Sequence, residues 1–396
     1  MKPTTIHFKS YRNFSGEEKL KIKPITLIVG KNSSGKSSIL KLLSMFEESF
    51  RGMVDGSSIS LVNKDVTFAY SYKDVPHNGN SVGLELGASF DNVDVNASFV
   101  LDKDRLKIYE YTVTKEDVTY RLVWSKDEGV YKDIESGITY PEDSFSGLCN
   151  EDFLNNIDSR FNAHYVTDYI GPFRATPERN YYPDRSVLKE DIVGYRGENS
   201  CITLCKNPDV AAKVSKWYEE NFKCRLTIEK QGDGARQLCF RKMGSPDYPV
   251  NIVDEGEGMS QVLPIIVSCM VANEHIVNVI EEPELHLHPS AHASLAVLMA
   301  RTAKDSNKTY VVESHSPNFL LGLRAAVVDK DCPIKSDDVV IYYIDEDEDG
   351  VYTREITIEP DGMLSDWPTD VFNESYELMK IIAKNAKKQN GYDCHY

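Results

Sequence analysis

The chain has 396 residues, of which 41% are hydrophobic and 27% charged, with a net charge of −17. That length suits two or three lobes rather than one small domain, and the acidic balance disfavours a surface coated for nucleic acid, which needs clustered Lys and Arg to displace counterions. No apolar run approaches the ~20 residues of a membrane-spanning helix, and the opening Met1-Lys2-Pro3-Thr4-Thr5 lacks the apolar core of a secretory signal, so a cytoplasmic protein without membrane contact is expected.

Residues 3–29 predict two strands around a turn, Thr5 to Tyr11 and then Pro24 to Val29, the second a short apolar run rich in β-branched residues. Glycines at 30 and 35 punctuate the chain before a helix carrying Ile39, Leu40, Leu42, Leu43 and Phe46 on its apolar face. From about 57 to 140, VGLELGASF, VNASFVL, LKIYEYTV and TYRLVWS alternate as strands do, between turn signals such as HNGN. This predicts an antiparallel β lobe inserted after the first helix.

ENSCITLC, which holds Cys201 and Cys205, looks strand-like. With no second pair at metal-ligand spacing, the eight scattered cysteines read as free, mostly buried thiols. Residues 207–222 form an amphipathic helix with Asn207 or Asp209 near its N-cap. Strands CRLTIEK and QLCFRKM flank a QGDG turn, and a helix from about Ser260 precedes a buried apolar run, His275 to Ile280. A helix over 290–304, a buried strand from Thr309 to Val312, strands VVIYYI and REITI, and a helix from Glu374 to Lys388 complete the α/β pattern. No heptad run long enough for an extended coiled coil occurs.

Gly30-Lys31-Asn32-Ser33-Ser34-Gly35-Lys36-Ser37 matches G-x-x-x-x-G-K-[ST], and it stands between a strand and a helix as a phosphate loop requires. Glycines let backbone N–H groups turn inward around a β-phosphate, helped by the helix N-terminus that continues through Ser38. Lys36 is placed to reach the β- and γ-phosphates, and the Ser37 hydroxyl to ligate Mg²⁺. In VNVIEEPE a buried strand ends in two acids. Glu281 suits the metal, directly or through water, and Glu282 suits polarising the attacking water. In TYVVESHSP a second apolar strand delivers His315 to the end of a sheet where ligands bind, within reach of a γ-phosphate.

These segments, in this order, resemble the ABC-type ATPase heads of the SMC, RecF and OLD group. FKSYRNF at 8–14 resembles their first strand and turn, EEPELHLHP their Walker B and D-loop, and VVESHSP their histidine switch. YIGPFR at 169–174 and DWP at 366–368 resemble stand-alone bacterial OLD-like AAA ATPases, many of them from phage-defence loci. The resemblance covers about 1–50 and 165–375 and implies a P-loop head with a mixed sheet, ATP and Mg²⁺ as cofactors, and two heads sandwiching two nucleotides. It places the signature segment at 254–261, with Gly258 and Ser260 as nucleotide contacts, and Glu257 where the family has a serine that touches the γ-phosphate. A carboxylate there repels phosphate unless turned away or neutralised, so either Ser260 or the helix N-terminus would make the contact. Arg174 suits either a phosphate or interface arginine or a loop-packing salt bridge.

The expected organisation is an ATPase core at 1–56 and 165–330, a β-rich lobe at 57–164, and a C-terminal strand pair and helix at 331–396. The expected function is Mg²⁺-dependent ATP hydrolysis that switches an assembly, as a homodimer or higher homo-oligomer controlling a separately encoded nuclease or toxin effector. A DNA-clamping repair or chromosome-maintenance head and a nucleotide-locked scaffold are the alternatives. About 80 residues follow His315, fewer than a further ~100-residue domain needs, so intrinsic nuclease activity is not expected.

Overall fold

The computed structural model describes residues 1–367 except 160, 186–191, 245–247, 272–273 and 349. The expected helix from Glu374 to Lys388, Pro368 of the DWP segment and Cys394 lie outside the described residues.

The chain opens with an antiparallel hairpin, β1 (Thr5–Tyr11) and β2 (Phe14–Lys21), and only then reaches the apolar strand β3 (Ile25–Gly30) and helix α1 (Lys36–Phe50). The sequence predicted two strands here, not three. In β2, FSGEEKLK, only Phe14, Glu18 and Leu20 turn inward, and the charged residues between them hide the alternation. After a short pair, β4 (Val62–Asn63) and β5 (Val66–Thr67), six strands follow: β6 (Glu85–Phe90), β7 (Val93–Asp102), β8 (Arg105–Lys115), β9 (Val118–Ser125), β10 (Val130–Asp133) and β11 (Thr139–Pro141). Their alternation is regular, with Val93, Val95, Ala97 and Phe99 inward along β7. They form no sheet of their own. Because β6 pairs with β1, the eight strands run β11-β10-β9-β8-β7-β6-β1-β2 in one antiparallel sheet.

Helix α2 (Glu151–Ile157) leads to β12 (Val166–Ile170), the first strand of a second sheet. Helices α3 (Ser200–Lys206) and α4 (Pro208–Phe222) come next, the latter capped by Asn207, whose Oδ1 accepts the Val210 N–H at 3.2 Å. The strand-like segment ENSCITLC is therefore helical. Its buried residues, Ser200, Cys201 and Leu204, fall on one helical face against α4 and α5, and that packing overrides the β-branched composition.

Strands β13 (Cys224–Lys230), β14 (Arg236–Lys242) and β15 (Val250–Asn251) form a small antiparallel sheet. Helix α5 (Glu257–Met270), β16 (Ile276–Glu281), α6 (Pro289–Asp305), β17 (Thr309–Glu313), α7 (Pro317–Val328), β18 (Val339–Asp347) and β19 (Gly350–Ile356) complete the fold. The second sheet has the order β12-β16-β17-β3-β18-β19, parallel except for β19. Asp345, Glu346 and Asp347 end β18 and pair with Tyr352, Val351 and Gly350 of β19.

The mixed sheet is the wall between two cores. Ile28, Val277, Val279, Val311, Val340 and Tyr342 face α1 and the antiparallel sheet, while Ile25, Leu27, Val29, Val312, Ile341 and Tyr343 face α5, α6 and α7. Strands buried on both faces read as continuous apolar runs rather than alternating ones. Glu47, fully buried on α1, accepts from Asn63 Nδ2 and the Thr167 N–H, both at 2.9 Å, and meets Lys64 Nζ at 3.2 Å. These contacts fix α1 against the end of β12.

Helices α6 and α7 touch most closely at Gly322, where a Cβ would lie 2.6 Å from the Ala293 carbonyl oxygen and 2.7 Å from its Cα. Backbone atoms cannot yield as a flexible side chain can. Gly322→Ala is expected to destabilise by on the order of 1 kcal/mol, overpacking outweighing the roughly 1 kcal/mol that alanine gains over glycine in a helix. A lower urea midpoint measures it; a raised midpoint shows that the helices can separate at no cost.

Candidate functional site

The C-terminal ends of β3, β16 and β17 lie side by side because of strand register. Glu281 pairs with Glu313, and Glu313 with Ile28, two residues before the Gly30 that starts the phosphate loop. Neighbours in register project to the same face, so both carboxylates stand beside the loop.

The loop conformation needs its glycine. Gly35 has φ +104°, and a Cβ there would approach the Phe14 ring at 3.0 Å. Asn13 Nδ2 donates to the Ser33 carbonyl at 3.1 Å, which ties the loop to the β1–β2 turn. No side chain caps the N-terminus of α1, its first turn holds no acid, and the buried Ser34 hydroxyl has no partner among the described residues. Uncapped N–H groups, the helix dipole and an orphaned hydroxyl together fit a phosphate. Lys36 is 4% exposed; its Nζ donates to the carbonyls of Gly30 at 3.2 Å and Lys31 at 2.8 Å and faces Glu313 Oε1 at 3.6 Å. Burial pulls its pKa down, and Glu313 opposes that shift. Lys31, Asn32 and Ser33 are exposed on the rim of a groove of about 630 Å³ whose other wall is Asp345–Asp347. Ser38 is engaged within the fold, its carbonyl accepting the Tyr11 hydroxyl at 2.9 Å.

Glu313, to which the sequence reading gave no role, is the hub. Its Oε2 accepts the Ser37 hydroxyl at 2.9 Å, and its Oε1 lies 3.8 Å from His315 Nε2. Burial alone would raise its pKa, but the contacts with His315, Lys36 and Ser37 bring it below the usual value, so the carboxylate is ionised at neutral pH. Ligand atoms of Glu282, Glu313 and His315 all lie within 4.8 Å of one another. Two carboxylates and a serine hydroxyl offer the hard oxygen donors that Mg²⁺ prefers.

Glu281 lies on β16, one strand further from the loop than Glu313. The Ser37 hydroxyl meets Glu313, whereas the Glu281 carboxylate accepts the buried Tyr169 phenol. Burial raises the Glu281 pKa, the Tyr169 bond opposes this, and the neighbouring Glu313 adds to it. Arg174 forms no side-chain salt bridge among the described residues. It is buried, and its Nη2 donates to the carbonyls of Glu281 at 2.7 Å and Glu282 at 2.9 Å. Burial lowers its pKa to about 10 against the opposing pull of Glu284, Glu282 and Glu281, so it remains a cation.

That clamp holds a strained residue, since Glu282 has φ +44°, left-handed for a side chain with a Cβ. The Glu282 N–H bonds the Glu313 carbonyl at 2.9 Å. Glu284, also passed over in the sequence reading, accepts the Ser314 hydroxyl and the His315 N–H, both at 2.8 Å, and so fixes the histidine turn from the β16 end. The repeated acids of EEPE were the available signal for Glu284, and the strand-end carboxylate two residues before His315 was the signal for Glu313.

Helix α5 starts at Glu257, three residues earlier than predicted, so Gly258 and Ser260 sit in its first turn. A Cβ on Gly258 would lie 2.5 Å from the His286 carbonyl oxygen. The Ser260 hydroxyl is turned into its own helix, donating to the Glu257 carbonyl at 3.0 Å. The Glu257 side chain is 81% exposed, 3.7 Å from His286 Nδ1.

A family model described as an AAA ATPase domain matches residues 1–170, and one described as an AAA domain, putative AbiEii toxin, Type IV TA system, matches 245–321. A model described as a protein of unknown function matches 334–380. No curated protein matches the chain. Among solved structures, the SMC head domain from Thermotoga maritima is 11% identical with a TM-score of 0.41, covering 89% of this chain and 98% of that one. An Smc head bound to the C-terminal winged-helix domain of ScpA is 12% identical with a TM-score of 0.45, covering 90% and 99%. An Smc head with an extended coiled coil bound to the C-terminal domain of ScpA, from Pyrococcus furiosus, is 12% identical with a TM-score of 0.46, covering 98% and 100%. With the phosphate loop and its sheet, the ATPase-domain matches define the class: a P-loop ATPase with an α/β fold. No helix among the described residues is long and apolar enough to cross a membrane.

Arg174→Met keeps the volume and removes the donors to two carbonyls. It is expected to cost about 1–3 kcal/mol in urea unfolding and to slow ATP turnover while leaving nucleotide affinity near wild type. Unchanged turnover would show that the β16 end holds its conformation without the guanidinium.

Proposed function

We propose that the chain binds Mg²⁺–ATP on the loop Gly30–Ser37 and hydrolyses it with Glu282 polarising the attacking water and His315 contacting the γ-phosphate. The observation that carries this is the convergence of Lys36, Ser37, Glu282 and His315 on one ionised carboxylate at the strand ends. Ser37 would hold the metal, with Glu281 outside it through water.

Hydrolysis would drive a change of assembly between two copies, each offering the first turn of α5 to the other's nucleotide. Gly256 supplies no side-chain cap there and the Ser260 hydroxyl is engaged within the helix, so the contact would come from backbone N–H groups. The exposed Glu257 beside His286 would have to turn aside. The setting we propose is an OLD-like ATPase subunit of a bacterial phage-defence system that controls a separate effector. The match at 245–321 to a model described for a putative toxin supports it.

Two substitutions test the chemistry. Lys36→Ala is expected to weaken ATP binding by about 1.5–3 kcal/mol, roughly 10- to 150-fold, because a charge-assisted contact is lost in a desolvated loop. Calorimetry giving wild-type affinity would remove the loop from the site. Glu282→Gln is expected to keep ATP binding and lower turnover by ~10²–10⁴. It should also accumulate an ATP-loaded assembly larger by light scattering than the nucleotide-free protein. Loss of turnover with no ATP-dependent association would retain the chemistry and exclude the pairing of heads.

A further inference from the structure

We infer that Glu313 is a metal-positioning residue of this site, fixing the Ser37 hydroxyl so that its lone pairs are left for the ion. The inference rests on the Mg²⁺–ATP reading above. A serine hydroxyl has one proton and two lone pairs, and it can turn to donate or accept as its surroundings demand. Here the proton is committed to Glu313 Oε2 at 2.9 Å. A hydroxyl so committed presents only acceptor character elsewhere, and the negative charge behind it makes its oxygen a better ligand. Outer partners orient and strengthen metal ligands in this way throughout metalloprotein sites.

The placement of Glu313 suits that task better than a loop position would. It ends a strand buried on both faces and is itself 5% exposed. Its main chain is locked in register between Glu281 and Ile28, and its carbonyl accepts the Glu282 N–H at 2.9 Å. The second carboxylate oxygen faces Lys36 Nζ at 3.6 Å and His315 Nε2 at 3.8 Å. One rigid carboxylate thus touches the groups proposed for metal, β/γ-phosphate and γ-phosphate. Two lesser roles are open to the same contacts: a simple counter-charge for Lys36, or a latch that occupies Lys36 until phosphate displaces it. Each predicts a different response to removing the charge.

The experiment compares wild type, Glu313→Gln and Glu313→Asp as full chains. Calorimetry measures the affinity of each for a non-hydrolysable ATP analogue, with Mn²⁺ and with EDTA. The ratio of the two affinities is the coupling between metal and nucleotide. A positioning role predicts that this ratio falls about 10- to 100-fold in Glu313→Gln and less in Glu313→Asp, with affinity in EDTA near wild type. An unchanged ratio overturns the inference and leaves Glu313 as a counter-charge. Tighter binding in EDTA with an unchanged ratio also overturns it, in favour of the latch. Should Glu313→Gln fail to fold, the aspartate variant decides alone, since it keeps the charge but draws it back from Ser37. Wild type that binds no analogue, or shows no metal effect, would instead refute the Mg²⁺–ATP reading.

Discussion

A slip of one residue between β16 and β17 would turn Glu281 and Glu313 to opposite faces of the sheet. In the observed register they pair, and β17 in turn pairs with β3 just ahead of the phosphate loop. The register is enforced by the two cores. Val279 and Val311 must face one side while Ile280 and Val312 face the other, so a slip would exchange the residues packed against α1 for those packed against α5–α7. Site geometry is therefore a consequence of hydrophobic packing. The polar cross-ties from Arg174 and Glu284 adjust what the strands have already delivered.

The antiparallel sheet gains meaning from the same arrangement. β1 and β2 carry the turn whose Asn13 holds the phosphate loop and whose Phe14 presses on Gly35. Strands β6–β11 extend that hairpin, so the inserted residues share a sheet with the turn that contacts the loop, while the loop itself leaves β3 of the other sheet.

The sequence disclosed the elements whose signal is local. The phosphate loop lies between strand and helix, and the three apolar strands announce a parallel sheet by composition. It failed where packing between distant segments decides. β2 is hidden by Gly16 and its charges: it pairs locally with β1, but its inward Glu18 meets Thr353 from the far end of the chain. ENSCITLC reads as strand until α4 and α5 give its Cys201 and Leu204 a helical face to fill. In the site, the motif residues were found by pattern, but Glu313, Glu284 and the true partners of Arg174 appear only when β16 and β17 lie side by side. Glu281 was read for the metal from motif order; the contact that shows which strand-end carboxylate meets the Ser37 hydroxyl, Glu313, joins residues 276 apart in the chain.

Charge balance is consistent with the proposal that metal and nucleotide bind together here. Glu281, Glu282 and Glu313 stand against Lys36 and the buried Arg174, whose Nη2 bonds two backbone carbonyls while its Nε and Nη1 have no hydrogen-bond partner among the described residues. Polyphosphate brought alone to such a place would set further negative charge beside carboxylates in a partly desolvated pocket, where like charges repel strongly. A divalent cation between phosphate and carboxylate reverses the sign of that interaction. On the Mg²⁺–ATP reading proposed above, the strand-end carboxylates would then favour the metal complex of the nucleotide. Selectivity of this kind requires that the acids cannot swing away, which is what burial on a double-faced strand and the fixed register supply.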